Sequence, residues 1–366
     1  MGAGAELRAL TGLRFVAALG VLLLHYGGQL VAWAPPAVDA VRLGGHVWVG
    51  LFYLLSGFVL ARAHPRPMDA AGRRVFWGGR LARLYPLYLL AFLASAPSAL
   101  AQVPDRGEGA VFAAGVLSLV LAQAWAPTLA LVWNGPAWST SVVFAFGLAF
   151  PFLAAWMRGL RTRSLAAAGV LAWGASVALP LAWLALRDGA APFEAGDPSP
   201  WGNLLERHPL VRGLEFAAGV ALGLLHARGA VRAPPAAAPL ALGAVALVLA
   251  TGAAPYLLLH NGLLAPLFAL VLLALATGEG WLARALASRP AVALGEASFA
   301  LYILQEPLWC LARALPGAPA LPKPGFVTLY VVGAWVVALA AHRIIARPAR
   351  RLLAEPSALE GARIRA

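Results

Sequence analysis

Apolar residues gather in runs near 9–30, 45–63, 80–101, 112–126, 138–157, 164–186, 212–226, 235–253, 256–278, 291–313 and 326–346. A run of about 20 such residues predicts a helix long enough to cross a bilayer. Proline and glycine punctuate the joints, at Pro35-Pro36, Pro65, Pro67, Pro234-Pro235, Pro322 and Pro324. The first run resembles a signal peptide, because Ala32-Trp33-Ala34 has the form of a cleavage site. Pro35 directly after it and the later runs favour a retained first helix. The pattern predicts an all-α, polytopic membrane protein, with no solenoid repeat or separate soluble domain.

Composition strengthens this. Of 366 residues, 61% are hydrophobic and 12% charged, half the charge of an average soluble domain at about 25%. That excludes a soluble globular enzyme and a disordered chain. The net charge of +13 raises the question of nucleic acid. The arginines, however, sit in short clusters between apolar runs, as cytoplasmic anchors do. The single cysteine, Cys310, excludes an internal disulfide and is expected as a packed thiol.

The arginine clusters orient the chain. Segment 61–83 carries Arg62, Arg66, Arg73, Arg74, Arg80 and Arg83, and segment 158–163 carries Arg158, Arg161 and Arg163. If both are cytoplasmic, an even number of crossings separates them. Three apolar runs lie between, so one does not cross, and the shortest, 112–126, is the natural candidate. With the uncharged stretch that follows, it predicts a re-entrant segment near 112–137, buried in protein. About ten spans remain, with both termini cytoplasmic. Loop 187–211, with Arg187, Asp188, Glu194, Asp197, Glu206 and Arg207, is then extracytoplasmic and a candidate for acceptor contact.

Ionisable residues inside spans mark function by default. Arg14 and His25 are eleven residues apart in the first span. At 100° per residue that is within about 20° of three full turns, so both lie on one face, ~16 Å apart. A neutral imidazole there can act as base, nucleophile or packed polar group. Arg80 and Arg83 share a face at the start of the third span. Such a pair suits either phosphate recognition or headgroup anchoring. Glu215 is either membrane-buried or paired with Arg212 at the interface, the second costing less. Ser139, Thr140 and Ser141 open a span and suit helix capping. Gly219 and Gly223 form a small-residue packing motif. None of the remaining histidines (His46, His64, His208, His226, His260, His342) pairs at metal-ligand spacing, and no metal site is expected.

The order of motifs resembles the membrane acyltransferase-3 family, bacterial O-acyltransferases that modify cell-surface glycans and related acceptors. The likeness runs through Leu10-Thr11-Gly12-Leu13-Arg14 ending in His25, then Leu51–Phe58, Arg80-x-x-Arg83-x-x-Pro86 and Trp138-Ser139-Thr140-Ser141-Val142. It continues in Arg212-x-x-Glu215-Phe216-x-x-Gly219 and Leu294-Gly295-x-x-Ser298-Phe299-x-Leu301-Tyr302. It implies a transmembrane acyltransferase domain over 1–350 and a short basic cytoplasmic tail over 351–366. It further implies catalytic roles for His25 and Arg14. Arg80, Arg83, Ser56, Trp138, Ser141, Glu215 and Tyr302 would bind substrate. The donor would be acyl-CoA, acetyl-CoA by family default, with no permanently bound cofactor. The partners would be membrane lipids and an extracytoplasmic glycan or other hydroxyl acceptor, in the inner (plasma) membrane. Four positions depart from the family pattern: Val143, Gly50 and Ala346 stand where it has an acid, and Gln305 where it often has histidine. Two other readings compete, a transporter or flippase of a polar lipid or glycan, and a non-catalytic membrane scaffold.

Overall fold

The computed structural model describes residues 3–187, 199–317, 322–349 and 351, with side chains from Arg8 onward. Among these residues the chain is all-α. In order, the helices are α1 (Ala3–Tyr26), α2 (Pro36–Leu43), α3 (Val47–Ala63), α4 (Ala70–Leu100), α5 (Val103–Arg106), α6 (Glu108–Leu119), α7 (Trp138–Gly159) and α8 (Thr162–Leu186). Then come α9 (Pro200–Arg207), α10 (Pro209–Ala227), α11 (Ala237–Thr251), α12 (Tyr256–His260), α13 (Ala265–Leu275), α14 (Gly280–Leu286), α15 (Arg289–Ala314) and α16 (Lys323–Ala341).

Seven helical stretches are long and apolar enough to cross a membrane: Arg8–Leu30, Pro36–Ala63, Gly135–Gly159, Thr162–Leu186, Pro200–Ala227, Tyr256–Leu275 and Lys323–Ala349. Adding α4 and α15, which carry more charge, and the shorter α11 matches the ten apolar runs expected to cross. The protein is a multi-pass membrane protein. Its helices turn apolar side chains both inward and outward. Leu13, Leu22 and Phe58 are fully buried, whereas Leu171, Leu240 and Ile344 are exposed. Cys310 is exposed on α15 rather than packed; beside hydrocarbon a thiol behaves as a small apolar group.

The tightest seam joins α3 to α10. A Cβ on Gly219 would lie 2.2 Å from the Leu54 carbonyl oxygen, and one on Gly223 2.6 Å from that of Phe58. The small-residue motif therefore lets two backbones touch within the chain.

The segment expected near 112–137 is helical up to Leu119, within α6, and irregular after it. After α6 the chain turns through Leu121, at φ 59°, and two short 3-10 turns before α7 begins. Side chains from within it and from neighbouring elements tie it into the bundle. Ser141 Oγ lies 2.7 Å from the Leu121 carbonyl and accepts from Ala124 N–H, while Gln123 Nε2 donates to the Ala137 carbonyl at 3.0 Å. Gln102 Nε2 donates to the Val132 carbonyl at 2.7 Å, and Asn134 Nδ2 to that of Ile303 at 3.1 Å. Glu306, on α15, accepts from Gly135 N–H at 2.5 Å. Without water, protein groups must meet these needs. Ser139 and Ser141 thus stitch this segment instead of capping α7, whose N-cap Ala137 has no side-chain bond.

The expected outer loop 187–211 is corrected in part. Asp188, Glu194 and Asp197 lie outside the described residues. Beyond them the chain is already helical from Pro200. Glu206 and Arg207 are buried and meet at 2.6 Å. Mutual neutralisation lets both charges leave water, which a hydropathy reading of isolated residues does not register. Of the tail, 352–366 lies outside the described residues.

Glu306→Ala should strand the Gly135 N–H and lower stability by about 1–3 kcal/mol, read as denaturant or thermal unfolding in detergent; an unchanged midpoint would remove Glu306 from this role.

Candidate active site

α1, α3, α4, α7 and α15 surround a cavity of about 180 Å³. Arg14 reaches it from α1, Ser56 from α3, Arg80 and Arg83 from α4, and Tyr302 from α15. Four separate stretches of the sequence hold these five residues, and the bundle brings them to one cavity. Tyr53, Ser139, Thr140 and Ser298 also line it; Ser139 and Thr140 stood out in the sequence as helix caps, and Ser298 only as part of a motif. The apolar part comes from Phe52, Val59, Leu84 and Phe299.

The polar groups facing this space are donors. No carboxylate lines it, against three guanidiniums. Arg80 Nε and Ser298 Oγ are buried with no hydrogen-bond partner among the described residues. Ser139 Oγ and Tyr302 Oη lie 2.8 Å apart. Unpaired buried donors are costly, so the cavity suits a ligand rich in acceptors, an anion or a carbonyl. Fork-shaped guanidiniums favour phosphate or carboxylate.

His25 does not line this cavity. It is exposed in the last turn of α1, its ring 5.9 Å from that of Tyr26. Arg14 and His25 thus share a face of one helix at two levels, ~16 Å apart. Tyr26 anchors that end of α1 against Trp309 and Tyr330, at centroid distances of 4.7 and 5.0 Å.

Trp138, Ser141 and Glu215 also lie away from the cavity lining. Trp138 packs beside His260, ring centroids 6.0 Å apart. Ser141 is fully buried in the irregular segment. Glu215 meets Arg212 at 2.7 Å, and the two are 2% and 0% exposed. The pair is therefore buried in the bundle rather than interfacial. Arg212 also donates to the His260 carbonyl at 2.5 Å and to Asn261 Oδ1 at 2.8 Å. Its guanidinium sits 5.1 Å over the Tyr53 ring. Tyr53 lines the cavity, so the ion pair supports the cavity wall from behind.

This explains one departure from the family pattern. A Cβ at position 50 would lie 2.7 Å from Glu215 Oε1. An acid at 50 would crowd a second negative charge against one arginine, and the Glu215 carboxylate takes that place. At another departure, Ala346, the adjacent Arg347 pairs with Glu296 of α15 at 2.7 Å. Val143 lines the cavity, and the Gln305 carbonyl accepts from Tyr330 Oη at 2.7 Å.

Comparison with known proteins bears on this arrangement. Residues 7–343 match a family model described as an acyltransferase domain. The chain belongs to the membrane acyltransferase-3 family. It is also 32% identical over 371 residues to Acyltransferase MdmB of Streptomyces mycarofaciens, a match covering 95% of this chain and 92% of that one. No solved structure matches. This acyltransferase-3 protein is therefore a multi-pass membrane acyltransferase, and the match spans every element that builds the cavity.

Outside the spans, His64 packs on Phe76 and Phe150, at ring-centroid distances of 5.1 and 6.0 Å. Burial first, then the nearby Arg158 and Arg80, hold its imidazole below the ordinary histidine range. Arg158 also donates to the His64 carbonyl. A depressed folded value means the stability contribution is complete above about pH 6.5 and is lost as pH falls through the folded value. The thermal unfolding midpoint should therefore fall on acidification, and His64→Gln should flatten that slope. Gly50→Ala should lower stability by about 1–3 kcal/mol through overpacking, measured by the same unfolding assay; a neutral outcome would mean that the Glu215 carboxylate is free to shift.

Proposed function

We propose that this protein transfers an acyl group, acetyl in the simplest case, from cytoplasmic acyl-CoA to a hydroxyl of a cell-envelope glycan or similar acceptor. The setting is the inner membrane, with both termini cytoplasmic, as the arginine clusters favour. The observation that carries the reading is the convergence of Arg14, Arg80 and Arg83 on one donor-rich cavity, on the face of α1 that also bears His25. The guanidiniums hold the phosphates of the donor, and the unpaired donors receive its carbonyl groups. The extended pantetheine arm then spans the distance along α1 to His25.

At His25 two routes balance. As a base, the imidazole takes the acceptor hydroxyl proton while that oxygen bonds to the thioester carbonyl carbon. The carbon–sulfur bond breaks, and the departing CoA thiolate receives the proton. As an acyl carrier, the imidazole nitrogen attacks first and expels the thiolate. The acceptor oxygen then displaces the imidazole, and the hydroxyl proton leaves through solvent. Neither route needs a metal or a bound cofactor.

The test follows radiolabelled acetyl-CoA with detergent-purified protein. Arg80→Ala and Arg83→Ala should each weaken saturable donor binding about tenfold or more, as loss of a charged hydrogen bond worth ~1.5–3 kcal/mol would. His25→Ala should retain binding and lose acetyl transfer and hydrolysis. Unchanged acylation by His25→Ala at matched protein level overturns this assignment.

A further inference from the structure

The arginine cavity, at about 180 Å³, is smaller than the ~300–1,000 Å³ of sites that enclose a whole ligand. An acyl-CoA therefore does not lie wholly inside it. This donor carries anionic charge at two separate places, the diphosphate and the ribose 3′-phosphate. The guanidiniums of the cavity suit the first, so the second is expected at a cation beyond the cytoplasmic end of the cavity.

α3 and α7 both lead to such a cation. Leu60 of α3 lines the cavity, and His64 caps that helix four residues later, ~6 Å further along the axis. Val143 lines the cavity from α7, and Arg158 stands in the last turn of that helix. Arg158 donates to the His64 carbonyl. Arg158 and Arg80 both act through charge on the His64 imidazole. The arginine end of the cavity and Arg158 are thus neighbours of one residue.

Holding the His64 carbonyl uses only part of the Arg158 guanidinium. Its Nε is buried with no hydrogen-bond partner, and no carboxylate pairs with it among the described residues. A buried donor without a partner is costly, and a ligand oxygen removes that cost. Arg161 and Arg163, in the same cluster, are exposed, as headgroup anchors are, whereas Arg158 is half-buried, within reach of a solute. The bond to His64 holds the planar guanidinium in place, which suits phosphate.

We propose that Arg158 receives the ribose 3′-phosphate of the donor, so that the protein selects CoA thioesters over thioesters of carriers lacking that group. This rests on reading acyl-CoA as the donor. The diphosphate lies at Arg80 and Arg83, the 3′-phosphate lies at Arg158, and the pantetheine arm enters the cavity.

The probes are acetyl-CoA and 3′-dephospho-acetyl-CoA, both radiolabelled in the acetyl group, with the full-length protein in phosphatidylcholine nanodiscs. Wild type is expected to bind acetyl-CoA about tenfold more tightly than the dephospho analogue, the effect of one charged hydrogen bond. Arg158→Gln should bring that ratio close to one by weakening acetyl-CoA alone. Arg158→Met, which keeps the apolar stem, replaces it if the glutamine variant does not fold. Arg161→Gln removes the same charge from an exposed site and should keep the wild-type ratio. Equal binding of both probes by wild type overturns the proposal, as does an unchanged ratio in the Arg158 variants or a collapsed ratio in Arg161→Gln. So does a wild-type ratio that vanishes in phosphatidylglycerol nanodiscs, since a lipid headgroup would then occupy Arg158. Wild type that binds neither probe overturns the acyl-CoA reading, and the subsite with it. Arg83→Ala should weaken both probes alike, and so reports on that reading separately.

Discussion

The ion pair of Arg212 and Glu215 is the interaction around which the middle of the bundle is arranged. In a membrane an unpaired charge cannot turn to water, so each charge must find its partner inside the protein. Arg212 does so through Glu215, the His260 carbonyl, Asn261 and the ring of Tyr53. These contacts tie α10 to α3 and to the segment around α12. Position 50 has to be small for the Glu215 carboxylate to fit. Tyr53, held from behind by the guanidinium, then presents its other side to the cavity. The cavity wall is thereby set by a charge pair that does not line it.

The same rule governs the segment between α6 and α7. Irregular backbone at membrane depth survives only with internal partners. Gln102, Glu306 and Ser141 supply them from outside the segment and Gln123 from within it. One consequence lies in the cavity. The segment delivers α7 so that Ser139 meets Tyr302 across from the arginines. Polar residues that look like substrate ligands in a motif therefore divide into two groups, those that face the cavity and those that hold the backbone behind it.

The separation of Arg14 from His25 along one helix sets two levels in the bundle. The cationic, donor-rich cavity occupies one. The exposed imidazole and the Tyr26–Trp309–Tyr330 cluster occupy the other. The two levels therefore differ in their surroundings, three guanidiniums at one and aromatic rings beside an exposed imidazole at the other.

The sequence alone carried the class of fold, the apolar runs, the irregular stretch within the latter part of 112–137 and the shared face of Arg14 and His25. Each depends on local length, period and composition, which backbone geometry converts directly into structure. It also marked Arg80, Arg83, Ser56 and Tyr302. Local pattern could not show that Ser298 and Tyr53 complete the same cavity, since those residues meet only through helices distant in sequence. Nor could it show that Glu206 with Arg207, and Arg212 with Glu215, are buried. A hydropathy scale scores each charge as if it were alone, while the cost of burial depends on the partner the packed bundle provides. Which polar residues face a ligand and which face one another is a property of contacts across the bundle, and only the tertiary structure decides it.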